Sequence, residues 1–166
     1  VVEAAEVEKH ILVEKPMTMS LEENDKVLSD LTKHKVTLLV GFNRRFSPLS
    51  LKVKELLSAK NPPFLVNYRA VDEVWSSSWT MDPKIGGGRI FAEACHFFDY
   101  FCWLTDAEPI RIYAEGGCFT HPDLPDTQDN TIITVKLSDG SICALTNGDM
   151  GHRDYHKERV EIYCNR

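Results

Sequence analysis

The 166-residue chain is short of the signatures that announce a cofactor, a metal or a membrane. No CxxC pair occurs. Five scattered cysteines, Cys95, Cys102, Cys118, Cys143 and Cys164, give neither a disulfide framework nor a zinc ribbon, which points to an intracellular, cytoplasmic protein. Neither GxGxxG nor GxxxxGK(S/T) is found, so the chain has no recognisable pyrophosphate cradle. No uncharged apolar run approaches the ~18 residues that span a bilayer, and the start has no basic n-region before an apolar stretch. Basic residues are outnumbered: 19 Lys plus Arg against 25 Asp plus Glu give a net charge of −6. Nucleic acid and membrane are therefore not expected as partners.

What is present reads as an ordinary globular chain, 43% hydrophobic. Val1-Val2-Glu3-Ala4-Ala5-Glu6 favours helix without an N-cap, as if a helix had been cut and the chain were a piece of a longer one. Ile11-Leu12-Val13 reads as a buried strand stopped at Pro16. Ser20 and Glu23 have capping-box spacing, and Leu21, Val27, Leu28 and Leu31 share a face, so a helix is expected over 21–34. Thr37 to Gly41 reads as a second buried strand. Ser47-Pro48 then supplies an N-cap and first-turn proline for a helix bearing Leu49, Val53, Leu56 and Leu57. Strand, helix, strand with nearly continuous apolar strands is the pattern of a parallel, helix-covered sheet.

Beyond Pro62-Pro63 the texture changes. Phe64, Val66, Tyr68 and Ala70 alternate with Asn67 and Arg69, as in a half-exposed strand. A Trp- and Ser-rich loop leads to Gly86-Gly87-Gly88 and a helix expected over 89–104. Further strands are expected near 111–118, 131–137, 141–147 and 159–164, with a hairpin turn at Ser138-Asp139-Gly140. The fold class is thus the tail of a parallel α/β unit followed by an α+β domain with an open, mostly antiparallel sheet. The segment from His121 to Asp126 has spaced acids without a calcium-loop pattern and reads as a solvated loop. His152 to His156 reads as a surface loop that could also line a pocket. Cys95 and Cys102 read as small buried hydrophobes.

Two groups of residues could carry chemistry. Glu93, His96 and Asp99 are spaced by three on an apolar helix, with Tyr100 four beyond His96. An imidazole flanked by carboxylates suits a proton shuttle. On spacing alone, a core histidine satisfied by Asp99 or a backbone carbonyl explains the pattern equally well. Lys15 ends an apolar strand, where ligands gather in open α/β sheets, and there it could stabilise a developing alkoxide. In isolation it also reads as a solvated lysine. A metal site built from Cys95, His96, His121, His152 and His156 lacks ligand spacing.

Taken together, Glu14-Lys15-Pro16 after one strand, Gly41-Phe42-Asn43-Arg44-Arg45-Phe46 after the next, and Gly87-Gly88 leading to His96 and Asp99 resemble the Gfo/Idh/MocA oxidoreductases. That family includes glucose-fructose oxidoreductase and inositol dehydrogenase. Trp79-Thr80-Met81-Asp82-Pro83 is similar to a bacterial branch of sugar-type dehydrogenases within it. The resemblance implies that residues 1–46 end an NAD(P)-binding Rossmann domain. It further implies that 47–166 form a substrate and oligomerisation domain, incomplete at its C-terminus and like that of glyceraldehyde-3-phosphate dehydrogenase.

The implied activity is hydride transfer between NAD or NADP and a hydroxyl of a sugar, cyclitol or nucleotide sugar, with this chain alone inactive. The implied catalytic residues are Lys15, His96 and Glu93. Cofactor contacts come from Glu14, Lys15, Pro16 and Arg44, and substrate contacts from Lys15, Arg45, Trp79, His96 and Asp99, without a metal. A homo-oligomer through the open sheet is implied, and a non-catalytic binding or oligomerisation module on the same scaffold is the alternative. The sequence departs from the family pattern at Ala92, where many members have Asp. Either Glu93 serves from another angle, or Lys15 and His96 act without a carboxylate. The glycine-rich βαβ unit is expected upstream of Val1.

Overall fold

The computed structural model describes residues 1–75 and 78–165 and divides into two compact units, one spanning Val1–Asn43 and one beginning at Arg44. The Ser76-Ser77 part of the Trp- and Ser-rich loop lies outside the described residues.

In the first unit, α1 (Val2–Glu6) lacks a side-chain cap, as its sequence requires. Strands β1 (Ile11–Val13) and β2 (Leu38–Val40) pair in parallel with Leu12 opposite Leu39. Between them runs α2 (Leu21–His34). Ser20 Oγ accepts from the Glu23 N–H at 3.2 Å, and the Glu23 carboxylate accepts from the Met19 N–H at 2.9 Å, so the expected capping box closes one residue early. The strands are less buried than expected: Leu12 is 75% and Leu39 54% exposed. These two side chains share one face of the pair, and within this unit α1 and α2 pack on each other around Ala5 and Val27.

The second unit is entered through a short 3-10 turn, Asn43–Phe46, and α3 (Pro48–Leu57), capped by Ser47 Oγ. Its sheet contains β3 (Leu65–Val71), β4 (Pro109–Gly117), β5 (Asn130–Leu137), β6 (Ile142–Gly148) and β7 (Glu158–Tyr163). The spatial order is β4-β5-β6-β3-β7. Every neighbouring pair is antiparallel except β3 with β6, so the sheet is mixed and mostly antiparallel. Asp139 makes the β5–β6 turn by accepting from the Ser141 N–H and Oγ at 2.8 Å each, with Gly140 at φ +91°.

Register sorts the strands into two faces. Val66, Tyr68, Ala70, Ile133, Val135, Leu137, Cys143 and Leu145 lie beneath α5 (Cys95–Thr105), which follows the single-turn α4 (Ser78–Met81), and are buried with its Phe97, Tyr100, Phe101 and Leu104. The Tyr68 and Phe97 rings are 4.5 Å apart between centroids, the tightest link in this aromatic core. The other face carries Leu65, Ile132, Ile142 and Tyr163 exposed among Asn67, Arg69 and Thr134.

The helix expected from Arg89 starts there but is irregular. Ile90–Ala94 widen into a π-turn, and regular α geometry resumes at Cys95. Two features precede this wide turn. Gly86 sits so close to the chain that a Cβ would lie 2.5 Å from Trp79 O, and Gly88 has φ +67°. Cys95 and Cys102 are half-buried rather than buried, whereas Cys143 is fully enclosed.

Candidate active site

The first unit presents Glu14-Lys15-Pro16 at the carboxyl end of β1. The Gly41 N–H, at the matching end of β2, donates to Val13 O at 2.8 Å, which sets the two strand ends side by side. The Glu14 carboxylate packs over Gly41, where a Cβ would stand only 3.1 Å from Oε2. The sequence expectation that Lys15 stands at a strand terminus therefore holds in the geometry.

In the second unit, His96 lies in the first turn of α5, 5% exposed. Its expected carboxylate neighbours are both paired with cations. Asp99 is gripped by Arg45, whose Nε donates at 2.6 Å while Nη2 bonds the second oxygen. Arg44 makes the equivalent fork with Glu158, Nη2 at 2.6 Å and Nε at 3.2 Å, and its guanidinium stands 4.9 Å from the centre of the Phe97 ring. The Tyr68 hydroxyl also donates to Glu158, at 2.5 Å. Burial works against a charged Glu158, but Arg44 and Tyr68 outweigh it and hold this carboxyl below its ordinary value. Both guanidinia pair within the second unit, which as a compact body begins at Arg44.

Glu93 is a hub for three cations. Arg89 Nη2 is 2.9 Å away and Arg44 Nη2 3.9 Å, and Lys157 Nζ pairs with the same carboxylate. Arg89 is wholly buried. Its guanidinium also pairs with Asp149 and lies 4.3 Å from the centre of the Trp75 ring. Lys157 reaches Asp72 at 2.9 Å, and the Trp75 indole N–H donates to Asp72 at 3.4 Å. Trp79 lies on a single turn, Ser78–Met81, and is 62% exposed. Trp75 is thus the tryptophan packed against this cluster.

The segment expected to be a solvated loop is anchored at both ends. The Asp129 carboxylate accepts from the N–H groups of Phe119 and Thr120 at 2.8 Å each, and from the His121 N–H at 3.1 Å. Burial opposes its charge, but these donors prevail and hold it far below the usual carboxylate range. His121 Nδ1 stands 3.0 Å from Asp129 Oδ2 and 3.6 Å from Asp149 Oδ2, and Nε2–H donates to Trp75 O at 2.9 Å. Between these anchors Pro122, Asp123, Pro125 and Asp126 are exposed, as a solvated loop requires. Residues 152–156 do form a surface loop.

Sequence reasoning missed Glu158, Asp149 and Asp129, although strand parity carried a signal. Cys143, Leu145 and Asn147 face inward on β6, and Asp149 continues their phase. Asp129 continues that of Thr131 and Ile133, and Glu158 that of Val160 and Ile162. The inward rows are apolar at one end of the sheet and charged at the other. Arg89 and Lys157 gave no such signal, because their partners come from distant segments.

Two family models match this chain. One, described as an oxidoreductase family with an NAD-binding Rossmann fold, matches residues 1–42, and the GFO/IDH/MocA C-terminal domain matches residues 64–166. The chain belongs to the GFO/IDH/MocA family. Among its relatives, the Bacillus subtilis protein named "Uncharacterized oxidoreductase YrbE" is 31% identical over 97% of this chain and 48% of its own length. The myo-inositol 2-dehydrogenase of Thermotoga maritima is 22% identical over 98% of this chain and 49% of its own. Solved structures agree in fold. An oxidoreductase domain protein from Kribbella flavida superposes with a TM-score of 0.86 at 18% identity, over 99% of this chain and 50% of that one. The WlbA dehydrogenase of Bordetella pertussis, in complex with NADH and UDP-GlcNAcA, has a TM-score of 0.83 at 17% identity, over 99% and 52%. The chain therefore spans about half the length of the relatives it matches. Among the described residues no helix is long and apolar enough to cross a membrane, and no group of metal-ligating side chains is assembled.

Proposed function

We propose that the protein containing this chain is an NAD(P)-dependent dehydrogenase acting on a hydroxyl of a cyclitol, sugar or nucleotide sugar, with Lys15 and His96 as its catalytic residues. The observation that carries the reading is the placement of Lys15 at a carboxyl strand end in a unit matching an NAD-binding Rossmann family. The side-by-side ends of β1 and β2 suit the nicotinamide half of a dinucleotide, with Glu14, Lys15 and Pro16 as its contacts. When bound, the nicotinamide supplies the hydride chemistry. Lys15 Nζ donates a hydrogen bond to the reacting oxygen and stabilises its developing negative charge. His96, screened from bulk water in α5, takes the hydroxyl proton, a contribution worth roughly 100- to 10,000-fold.

Glu93, surrounded by three cations, serves this reading as a fixed counter-charge rather than a proton carrier. Arg44 and Arg45, each committed to a carboxylate, serve as anchors rather than as cofactor and substrate ligands. Asp99 is likewise an anchor, while the exposed Trp79 remains available to a substrate.

Relatives that bear the names of inositol dehydrogenases support the cyclitol reading. The exposed Leu65, Ile132, Ile142 and Tyr163 support self-association through the open sheet. The deciding experiment assays the intact protein with NAD⁺ and NADP⁺ against inositols, sugars and UDP-sugars, following absorbance of the reduced nicotinamide. Lys15→Ala and His96→Ala should each reduce turnover by at least about tenfold. Wild-type turnover in both variants removes the assignment and leaves the non-catalytic module.

A further inference from the structure

His121 has acceptors on both sides. Nε2 faces the Trp75 carbonyl, and Nδ1 faces the Asp129 carboxylate, with the Asp149 carboxylate next to it. Thr120 Oγ also lies 3.0 Å from Nδ1, but its own hydrogen is directed to Asp129 Oδ2 at 2.8 Å. Oxygens face both nitrogens, an arrangement that favours the imidazolium, whose two N–H groups can be given to Trp75 O and Asp129.

The surroundings show what this charge does. Around the ring stand Asp129 before β5, Asp149 after β6, Trp75 after β3, and the Cys118 thiol after β4, which lies 3.8 Å from Asp129 Oδ2. Behind Asp149 is Arg89, and behind Arg89 is Glu93, which also holds Lys157 and Arg44. Asp149 and Asp129 each have a fully buried side chain, so their mutual repulsion is poorly screened by water. A cation between them offsets that repulsion and leaves Asp149 free to hold Arg89. Arg89 immediately precedes the π-turn, and Glu93 lies inside it, three residues before His96.

We infer that the His121 imidazolium is a positioning group for the helix that carries His96, acting through Asp149 and Arg89 on Glu93. The inference rests on the catalytic reading of His96. Loss of the proton from His121 returns two buried carboxylates to direct repulsion, presses Asp149 onto Arg89, its remaining cation, and so shifts the turn that orients His96. Burial opposes the charge on His121, but Trp75 O, Asp129 and Asp149 prevail and raise its pKa. The loss accordingly occurs on the alkaline side of the ordinary histidine range.

The test is a pH titration of the intact protein labelled with 15N-histidine and followed by imidazole NMR, comparing wild type with His121→Gln and Asp149→Asn. Gln keeps an N–H for Trp75 O and removes the charge. In wild type, the His96 resonances should show a second inflection where His121 titrates, and both variants should lack it. Turnover should fall roughly two- to thirty-fold in each variant, with KM for the cofactor changed by less than about twofold. The double variant should lose little more than either single one, because the residues form one chain. Identical His96 titrations in all three proteins, or fully additive losses of turnover, overturn the inference. If His121→Gln does not fold, Asp149→Asn alone decides. A wild-type protein that oxidises no polyol removes the catalytic reading, and the His96 titration still decides whether His121 is coupled to the helix.

Discussion

Arg45 and Asp99 meet through a two-bonded fork, with Nε 2.6 Å from Oδ2, joining the turn that opens the second unit to a residue one helical turn beyond His96. A planar guanidinium fits this geometry and an ammonium does not. Arg45→Lys should therefore behave much like Arg45→Ala. Each should cost roughly 1–2 kcal/mol in chemical denaturation, below the figure for a fully buried pair, because Arg45 remains about 36% exposed. A smaller loss in the lysine variant would show that charge alone holds the turn.

The acid side of the stability curve should be set by carboxylates of opposite habit. Asp129 and Glu158 have native pKa values below their unfolded ones, so the stability they contribute is present above the ordinary carboxylate range and is lost as pH falls through their native values. Asp149 is the reverse: burial raises it to about 6, against the pull of Arg89 and His121. Its contribution is complete below about 4 and declines as pH rises to about 6. Urea midpoints should therefore show the stability of wild type relative to Asp149→Asn decreasing between these limits. A difference that is flat with pH would place the Asp149 carboxyl at its ordinary value.

Gly86→Ala should be poorly tolerated. The added methyl would lie 2.5 Å from Trp79 O and from Thr80 Cα, both backbone atoms that cannot swing aside. The expected loss is roughly 1–3 kcal/mol, read as a lower melting temperature. The turn also leads into the π-turn before His96, so turnover should fall with it. Wild-type melting would show that the loop relaxes freely.

The open sheet face supplies a separate prediction. Ile132 is 61% exposed, and its register partner Thr146 stands beside it on β6. If copies associate through this face, Ile132→Lys should shift the intact protein to a smaller species in light scattering while leaving its melting temperature within roughly 1–2 °C. An unchanged particle mass would place any association elsewhere.

Where one short segment settles its own structure, the sequence was readable. Ser20 with Glu23, Ser47 with Pro48, and Asp139-Gly140 each carry their partner within a few residues, and alternation from Phe64 to Ala70 assigned both faces of β3 correctly. The π-turn was not readable, because the charged residues in and beside it pair with distant segments, Arg89 with Asp149 and Glu93 with Lys157. Spacing grouped Glu93, His96 and Asp99 correctly on one helix. It could not show that Arg44, Arg89 and Lys157 converge on Glu93 while Arg45 takes Asp99, since those pairings are made only by the tertiary fold. Loop composition read the exposed Pro122, Asp123, Pro125 and Asp126 correctly and missed only His121, which turns onto Asp129.

The position of β3 has a consequence for how the second unit comes into being. Both of its neighbours, β6 and β7, follow it in the chain by at least seventy residues. As the polypeptide leaves the ribosome, β4 and β5 can zip together locally, but β3 has no pairing edge until Ile142 has emerged. A messenger or protease cut short of that point therefore releases an unpaired Leu65–Val71 strand, with its alternating apolar face ready to adhere to other chains.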